Sequence, residues 1–379
     1  MILKIDRNNI RDLCVSLGQT LSTPGEWMSG TFVRSVFTSM QPERVGNCAY
    51  VPLEVFRRGI ALLLCVLTMP LTLTLWVLGK SIAMIGDCLK KDAFTYIKGT
   101  YEKEVKESKE FSILSWNVCS FFGGLPWLDG LSPASTREEG IAKGILQHKP
   151  SIVALQEVSF RSGKKLAQLL KNDYAHIFTR IGHPSFTTME SCLFFATNLP
   201  VLDSYFVPFS NESGIRRGCF CVKFKDFWVI TTHLMAGIDK ADTDKRAQEF
   251  EEINCLVQKI GHKKHVFLAI DANISDKQEY RKSDLSSHYW DPRNKGKRPD
   301  EISLHTATYT NQFQALRKGI KIKEDEKLEI DDYLVAARYG KLDIPKMRIK
   351  RIEGFKDAAK PDSKTLSDHH GLLCTINLS

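Results

Sequence analysis

Several apolar stretches of the sequence end on a side chain that can bind a metal ion or move a proton. Asn117, Glu157 and His233 each end a strand-like run, and Asp271 ends another run two residues before Asn273. Carboxylate and amide oxygens suit a hard divalent cation, and imidazole groups suit proton transfer. Polar groups at the ends of buried strands can gather at one rim of a sheet, where active sites of layered α/β proteins form.

Two further segments extend this set. Asp332 opens the apolar run Asp332–Ala336, and the pair Asp368-His369 immediately precedes the last apolar run, Gly371–Leu378. A single Asp or Asn at the end of a strand is more often a turn or helix-capping residue than a catalytic one. Taken together, however, these positions favour one functional site over a series of unrelated turns.

The segments around these residues, taken in order, resemble the signature set of the endonuclease/exonuclease/phosphatase superfamily. The match runs from about residue 111 to the C-terminus, and each piece is weak alone whereas the ordered set is specific. The resemblance implies an α/β fold, a four-layer sandwich of two mixed β-sheets packed face to face and flanked by helices. The matching pieces are Ser-Trp-Asn117-Val, Leu-Gln-Glu157-Val, Thr-Thr-His233-Leu, Ile-Asp271-Ala-Asn273, Asp332-Tyr-Leu-Val and Ser-Asp368-His369-His-Gly.

A narrower resemblance is to the membrane-anchored neutral sphingomyelinases. It rests on Cys192–Val201, Arg217-Gly218, His288–Pro292 and Ser367–His369, together with an apolar N-terminal segment and a juxtamembrane stretch. The Trp-Cys-Asp-Arg block of the related inositol polyphosphate phosphatases is missing from the sequence. The resemblance implies a Mg²⁺-dependent phosphodiesterase that hydrolyses sphingomyelin, or a related phospholipid, to phosphocholine and a ceramide-like lipid.

The resemblance also implies a role for each residue of the set. Glu157 is expected to be the first Mg²⁺ ligand, with Asn117 beside it and Asp368 as a more distant carboxylate. Asp271 is expected to orient and deprotonate the attacking water. Asn273 is expected to fix the direction of that water or to hold a phosphoryl oxygen.

The remaining members would handle protons and the phosphate. His233 and His369 are expected to donate hydrogen bonds to the phosphorane and to protonate the leaving oxygen. Asp332 would orient His369 and stabilise its cationic form. The sequence leaves open which group is the base and which is the acid. Arg217 is a candidate substrate-binding residue for the phosphate, although a solvated surface arginine fits the sequence equally well.

Strand and helix patterns alternate from residue 111 onward, as an α/β domain requires. Ser135 and Thr136, each with an acidic residue three positions on, predict a helix that carries Ile141 and Ile145. A second helix is predicted over 242–260. Its apolar side is expected to carry Ala247, Phe250, Ile253 and Val257.

The sequence divides into four predicted regions. They are an N-terminal extension at 1–56, for which no fold is predicted, a hydrophobic membrane segment at 57–85, a charged juxtamembrane linker at 86–110 and a catalytic domain at 111–379. Gly59–Gly79 contains no charged residue and is just long enough to cross a bilayer as a helix; a buried core helix is the alternative. Because Pro70 at its centre can break a helix, a full span and a re-entrant hairpin both stay open.

The net charge and the spacing of the cysteines indicate which partners and which cellular compartment suit the protein. The net charge of +9 suits an anionic partner, whether a phosphate ester, a nucleic acid or an acidic lipid surface. Two basic runs, Arg293–Arg298 and Lys346–Arg351, could meet anionic lipid headgroups or could be charged edges that prevent strands from pairing. The cysteines show neither zinc-site spacing nor a disulfide framework, which favours a membrane-associated domain on a reducing, cytoplasmic side.

Two other hypotheses fit parts of the sequence. A nuclease or other phosphodiesterase of the same superfamily suits the positive charge, whereas the apolar segment argues against it. A catalytically inactive membrane adaptor would have lost metal-binding and proton-transfer residues, and none of the set is missing. We therefore expect a membrane phospholipid as the substrate, and the sequence gives no evidence for a protein partner.

Overall fold

A computed structural model gives the fold of the chain. The described residues form two compact units, one within residues 7–88 and the other from residue 93 onward. The structure describes residues 7–28, 32, 36, 48–88, 93–101, 109–120, 134–182, 190–211, 215–274, 279–280, 283, 285–293, 309–310, 328–338, 343–352 and 366–378.

The first unit contains two long helices, α1 (Arg7–Met28) and α2 (Tyr50–Cys88), which pack antiparallel through small residues. A Cβ atom added to Gly18 would lie 2.5 Å from the backbone nitrogen of Ala83, and one added to Gly25 would lie 2.9 Å from the Thr72 carbonyl oxygen. Glycine at these positions lets the two backbones approach closely, as small residues do between membrane helices. The sequence predicted no fold for this N-terminal region, so α1 is an addition to the prediction.

Helix α2 runs through Pro70 without a break. Hydroxyl groups of Thr68, Thr72 and Thr74 donate to backbone carbonyl oxygens one turn earlier, and the last of these bonds ends on the carbonyl of Pro70 at 2.8 Å. The helix is a single element from Tyr50 to Cys88, with Pro70 inside it. The hairpin that turns back at Pro70 is therefore wrong, and a continuous helix forms instead.

The apolar part of α2 is long enough to cross a membrane. Its most apolar stretch has a mean hydropathy of 2.3, and 11% of that stretch is buried in the protein. The core helix of a soluble domain would be mostly covered by other residues. By length, composition and exposure, α2 is thus a candidate membrane segment, as the sequence predicted.

The second unit contains the strands and the remaining helices. The helices are α3 (Ala134–His148), α4 (Phe160–Leu170), α5 (Lys240–Ile260) and the short α6 (Leu285–His288). The strands are β1 (Thr95–Lys98), β2 (Glu110–Asn117), β3 (Ile152–Gln156), β4 (His176–Thr179), β5 (Phe194–Thr197), β6 (Asp203–Pro208), β7 (Gly218–Lys223), β8 (Phe227–His233), β9 (His265–Asp271), β10 (Tyr289–Trp290), β11 (Tyr309–Thr310), β12 (Leu328–Glu329), β13 (Asp332–Ala337), β14 (Lys346–Ile352) and β15 (Gly371–Asn377).

Two mixed sheets are built from these strands. The first has the order β1-β4-β5-β3-β2-β15-β14, the second has the order β10-β13-β9-β8-β7-β6, and β11 pairs with β12 separately. The pair β2–β3 in the first sheet and the pair β8–β9 in the second are parallel. The neighbouring pairs, such as β13–β9 and β15–β2, are antiparallel. Each sheet therefore has one parallel pair among its inner strands.

Apolar side chains fill the space between the sheets and cover their outer faces. In the inner layer the rings of Phe111 on β2 and Phe227 on β8 stack with centroids 4.1 Å apart. Helix α5 packs Phe250 and Ile253 on the outside of the second sheet, and α3 packs Ile141 on the outside of the first. The predicted four-layer sandwich of two mixed sheets flanked by helices is confirmed.

Some local predictions differ from the structure. On α5 Ala247 is exposed, and Arg246 and Glu249 are buried beside Phe250 instead, because both charged groups find partners inside the protein. Strand β1 lies inside the predicted 86–110 linker and pairs with β4. Helix α2 extends beyond the predicted 57–85 segment at both ends.

The two basic runs also have definite places. Lys346–Arg351 lies on β14, the edge strand of the first sheet, which fits the charged-edge interpretation. The guanidinium of Arg293 is buried, pairs with Asp291 at 2.8 Å and lies over the ring of Tyr333. Arg293 is therefore not available to lipid headgroups, and residues 294–298 lie outside the described part of the chain.

Candidate active site

The inner strands of the two sheets deliver the predicted side chains to one rim. Parallel neighbours end at the same edge of a sheet, so β2 and β3 bring Asn117 next to Glu157, which directly follows β3. In the second sheet His233, at the end of β8, is the register partner of Asp271, at the end of β9. Asp332 begins the antiparallel strand β13 directly opposite Asp271.

Three of these side chains surround a common point. The Nε2 atom of His233 lies 3.8 Å from Oε1 of Glu157 and 3.7 Å from Oδ2 of Asp271. One ligand atom of each residue lies within 4.8 Å of the others. Glu157 comes from the first sheet and the other two from the second, so the cluster joins the two halves of the sandwich.

Asn117 connects the two carboxylates of the cluster. Its Nδ2 group donates to Glu157 Oε1 at 3.0 Å and to Asp271 Oδ2 at 2.7 Å. Its amide oxygen accepts the backbone N–H of Cys119 at 2.9 Å. Asn117 thus faces the cluster as a hydrogen-bond donor, and its predicted role as a metal ligand, which needs the amide oxygen, stays a prediction.

The backbone at Glu157 is left-handed, with φ of 55°. This conformation is uncommon for residues other than glycine, so the surrounding contacts must hold it. The carbonyl of Glu157 accepts both the N–H of Ser120, at 2.9 Å, and its hydroxyl, at 2.7 Å. Held in this way, the residue after β3 turns its carboxylate toward Asn117 and His233.

The Glu157 carboxyl group has a raised pKa. Burial is the main cause, and the nearby charge of Asp368 adds to it, while His233 and the hydrogen bond from Asn117 act in the opposite direction. A buried carboxylate with a second acid nearby gains from a positive charge placed between them. The electrostatics of the cluster therefore favour a bound cation.

A second group lies beside the first and shares Asp271 with it. The Nδ1 atom of His369 lies 2.8 Å from Oδ2 of Asp332, and both side chains are buried. Ligand atoms of Asp271, Asp332 and His369 also lie within 4.8 Å of one another. The rim is thus continuous from Glu157 through Asp271 to His369.

The pKa of His369 lies well above its ordinary value. Burial alone would lower it, but the charge and hydrogen bond of Asp332, with the charges of Asp271 and Asp368, outweigh burial and raise it. His369 is thus held in its cationic, proton-donating form, with its Nδ1–H directed to Asp332.

The segment that carries His369 is tied to β2. The His369 carbonyl accepts the indole N–H of Trp116 at 3.0 Å, and the Ser367 hydroxyl donates to the Asn117 carbonyl at 2.7 Å. Asp368 is buried, and its charge acts on Glu157 and His369. Neither of the two described metal-binding groups includes Asp368, so its role as a distant ligand stays a prediction.

Asn273 and Arg217 are the remaining predicted site residues. The side-chain amide of Asn273 donates to the Leu234 carbonyl at 3.1 Å, which ties it to the loop that follows His233. The positive charge of Arg217 lowers the pKa of the Cys192 thiol, against the larger raising effects of burial and of two nearby carboxylates. One of those carboxylates is Glu157, and the role of Arg217 in binding the phosphate stays a prediction.

Two residues that support the site were missed from the sequence. Arg137 on α3 is buried and donates to the carbonyls of Val118, Cys119 and Leu366, so it fixes the segments beyond Asn117 and before Asp368. A cation in the first turn of a helix opposes the helix dipole. That unfavourable placement is the signal in the sequence that could have identified Arg137.

Gln156 is the second missed residue. Its side-chain N–H₂ lies in the interior between the sheets, 3.3 Å from Ser115 Oγ on β2, 3.2 Å from Thr231 Oγ1 on β8 and 3.3 Å from the Ala269 carbonyl on β9. It therefore bridges the two sheets one residue before Glu157. A polar residue at the end of an otherwise apolar strand is the sequence signal for it.

The donor set at the rim fits a hard divalent cation. Carboxylate oxygens of Glu157 and Asp271 face one point, with the Nε2 atom of His233 beside them. Mg²⁺ prefers one or two carboxylates and completes its coordination with water or phosphate oxygens. The group Asp271, Asp332 and His369 is less suited to a cation, since His369 is held protonated by Asp332.

Comparison with solved structures identifies the fold. No family model and no curated protein matches the sequence. The structure is similar to sphingomyelinase C from Streptomyces griseocarneus (17% identity, TM-score 0.51, covering 71% of this chain and 99% of that one). It is similar to D. rerio TDP2 complexed with a single-strand DNA product (19%, 0.51, 71% and 99%). An endonuclease/exonuclease/phosphatase protein from Beutenbergia cavernae is also similar (17%, 0.51, 71% and 72%).

The chain therefore has the same fold as these proteins, which confirms the fold that the superfamily resemblance implied. Sequence identities of 17–19% are too low to transfer a substrate from any of these proteins. The structure is about equally similar to a sphingomyelinase and to a protein bound to DNA. Structural similarity therefore does not distinguish a lipid substrate from a nucleic-acid substrate.

Proposed function

We propose that the protein is a Mg²⁺-dependent phosphodiesterase that hydrolyses sphingomyelin, or a related phospholipid, to phosphocholine and a ceramide-like lipid. One observation carries the proposal: Glu157, His233, Asp271 and the Asp332–His369 pair, which are far apart in the sequence, meet at one rim of the sandwich. This constellation combines carboxylates for a cation with a protonated imidazole for acid catalysis.

Each of these residues would have a separate role in hydrolysis. A Mg²⁺ ion held by Glu157, with Asp271 and His233 beside it, would neutralise negative charge on the phosphoryl oxygens. Asp271 orients the attacking water and accepts its proton, and Asn117 keeps that carboxylate in place at 2.7 Å. His369 gives a proton to the leaving alkoxide oxygen, since Asp332 keeps the ring cationic.

The remaining side chains stabilise the phosphorane. His233 lies within reach of both carboxylates and is suited to donate a hydrogen bond to a phosphoryl oxygen. Arg217 would provide a further positive charge for the phosphate. Asn273 is expected to hold the water or a phosphoryl oxygen, in addition to its bond with the loop after His233.

Helix α2 supports a lipid substrate. Leu67 and Leu71 in its middle are each 67% exposed, and 11% of its most apolar stretch is buried among the described residues. Exposed apolar surface of this length is stable in a bilayer and costly in water. A phosphodiesterase anchored in this way would meet phospholipid headgroups at high local concentration. The likeness to a sphingomyelinase C adds support.

The proposal is tested with the full chain in liposomes that contain sphingomyelin. Phosphocholine release is measured with and without Mg²⁺ for the wild type, Asp271→Ala and His369→Ala. We expect each variant to lose activity by about 10²–10⁴-fold or more, because each removes an acid–base group. Asp203→Ala, which removes an exposed carboxylate on the edge strand β6, is the matched control and should behave as the wild type.

A nuclease is the competing function, favoured by the net charge of +9 and by the likeness to TDP2 bound to single-strand DNA. The same protein samples are therefore offered labelled single-strand DNA. Efficient cleavage of DNA by the wild type, together with no release of phosphocholine from sphingomyelin, would reject the lipid assignment.

A further inference from the structure

The loop between β8 and α5 comprises residues 234–239. Its first residue is held by hydrogen bonds to the end of β9 and to Asn273 just beyond it. The backbone N–H of Leu234 donates to the Asp271 carbonyl at 3.0 Å, and the Leu234 carbonyl accepts the side chain of Asn273 at 3.1 Å. This loop directly follows His233. Any shift of its backbone would therefore move the imidazole relative to Glu157 and Asp271.

Two ionisable residues of α5 bind the next residues of the same loop. Oε2 of Glu249 accepts the backbone N–H of Met235 at 2.7 Å. Nη1 of Arg246 donates to the Met235 carbonyl and, at 3.0 Å, to the Gly237 carbonyl. Met235 is thus held at its N–H group by the carboxyl group of Glu249 and at its C=O group by the guanidinium of Arg246.

The guanidinium of Arg246 reaches beyond the loop. Its Nε and Nη2 groups form a two-pronged ion pair with the carboxylate of Glu279, the second bond being 2.9 Å long. Glu279 belongs to the chain that continues from Asp271 and Asn273. Arg246 therefore links the segment after His233 to the segment after Asn273.

The brace formed by Arg246, Glu249 and Glu279 is buried to an unusual degree for charged groups. Arg246 is 2% exposed, Glu249 is 1% exposed and the Glu279 side chain is 14% exposed. Removing charges from water is costly, and well-packed apolar residues would often stabilise such a position equally well. Charged residues here provide something that apolar ones cannot, namely directed bonds to both backbone groups of Met235.

We propose that Arg246, Glu249 and Glu279 are positioning residues for the phosphodiesterase reaction, which hold His233 and Asn273 at the distances that catalysis needs. The inference rests on the proposed function for its catalytic part. The three residues act through the backbone of the loop and do not touch the reacting atoms. Their loss should therefore lower kcat while leaving the KM for the substrate nearly unchanged.

The experiment compares two substitutions at each of two positions. Glu249→Gln keeps an oxygen that can accept the Met235 N–H, whereas Glu249→Leu removes it. Arg246→Lys keeps a positive donor, whereas Arg246→Met removes it. Tyr174→Phe is the control. It removes a buried hydrogen bond from the Tyr174 hydroxyl to the Pro150 carbonyl, which lies just before β3, whereas Glu157 follows the other end of that strand.

Two quantities are measured for each variant. Steady-state kcat and KM are determined with bis(p-nitrophenyl) phosphate, a small phosphodiester that does not depend on the lipid assignment. Hydrogen exchange of the Met235–Ile238 amides reports the order of the loop without any turnover. Displacement of a catalytic group by about 1 Å can lower a rate by about 10²-fold. We expect a loss of that size in kcat, with faster exchange, for Glu249→Leu and Arg246→Met.

The outcomes separate the brace from an ordinary structural role. The proposal is supported if Glu249→Gln keeps most of kcat and slow exchange of the loop amides. It also requires that Tyr174→Phe is destabilised but fully active. Unchanged loop exchange in Glu249→Leu, or faster exchange with an unchanged kcat, overturns it. If the wild type cleaves no phosphodiester, the proposed function fails, and the exchange data still decide whether the brace orders the loop.

Discussion

Oδ2 of Asp332 lies 2.8 Å from Nδ1 of His369, at the point where β13 begins and the last strand is about to begin. Both residues are buried, and Asp332 holds its partner in the cationic form by raising the pKa of the imidazole. The two residues are far apart in the sequence and meet only because β13 and the end of β2 face each other across the sandwich. This pair sets the pH range over which His369 can donate a proton.

Substitution of Asp332 by asparagine should move the alkaline limit of activity. His369 has a raised pKa in the folded protein, so it stays protonated to a higher pH than a free histidine and loses its proton only above that pKa. Asp332→Asn removes the charge that raises the pKa. We expect the alkaline fall of kcat/KM to begin at lower pH, with a lower maximum, when activity is measured from pH 5 to 10. Identical profiles for variant and wild type would show that His369 is not the acid.

Substitution of Glu157 by glutamine should weaken binding of the cation that the cluster is predicted to hold. The neutral amide keeps the size of the side chain and removes one negative charge from the group with His233 and Asp271. We expect the Mg²⁺ concentration for half-maximal activity, and for thermal stabilisation, to rise by about 10-fold or more. Glu139→Gln removes an exposed glutamate, 68% exposed on α3, and should leave both values unchanged.

The stability of the protein should fall as Glu249 ionises. Burial raises the pKa of Glu249 to about 7, and Arg217, Arg246 and the Met235 N–H only partly oppose this. In the unfolded chain the pKa returns to its ordinary value, so the folded protein binds more protons between about pH 4.5 and 7. The stabilisation is complete below that window and is lost as pH rises through it, by roughly 3.5 kcal/mol at most at about 1.4 kcal/mol per pKa unit.

Denaturant unfolding at a series of pH values tests this prediction. In Glu249→Gln the side chain stays neutral at every pH, so the free energy of unfolding should decline less between pH 5 and 8 than in the wild type. An equal decline in both proteins would show that another group causes it.

Charges placed in the middle of α2 should release the protein from membranes. Val66 and Leu67 are 60% and 67% exposed, and an aspartate at the centre of a membrane helix costs about 3 kcal/mol. We expect Val66→Asp/Leu67→Asp to appear in the soluble fraction after alkaline extraction of membranes. Leu202→Asp changes an equally exposed apolar residue of the second unit, 60% exposed, and should leave the protein in the membrane fraction. Equal retention of all three proteins would argue against a membrane role for α2.

The sequence was a good guide where a strand is apolar and its end is polar. Strands were predicted to end at Asn117, His233 and Asp271, and the observed strands end at those residues. Buried strands leave a strong signal, because nearly every residue must be apolar. The rim itself followed from the superfamily resemblance together with those strand ends.

The supporting contacts could not be predicted in the same way. Arg246 and Glu249 appear in the sequence as ordinary charged residues of a helix, and only the fold shows that their partners come from other segments. The same holds for Arg137, whose partners are backbone carbonyls distant in the sequence. Charge alone predicts exposure, so buried charges that are satisfied by remote partners escape sequence patterns. Helix α1 was not predicted because polar and apolar residues are mixed along it and because Gly18, Pro24 and Gly25 disfavour a helix.

The left-handed backbone at Glu157 makes the proposed cation-binding position a weak point of the folded chain. A non-glycine residue in this conformation costs roughly 1–2 kcal/mol, and asparagine or glycine would cost less. Neither carries a carboxylate, so relief of that strain and loss of catalysis come from the same replacement. Directed evolution that selects only for thermal stability should therefore select substitutions of residue 157 early. The most heat-resistant variants from such a selection should be catalytically inactive.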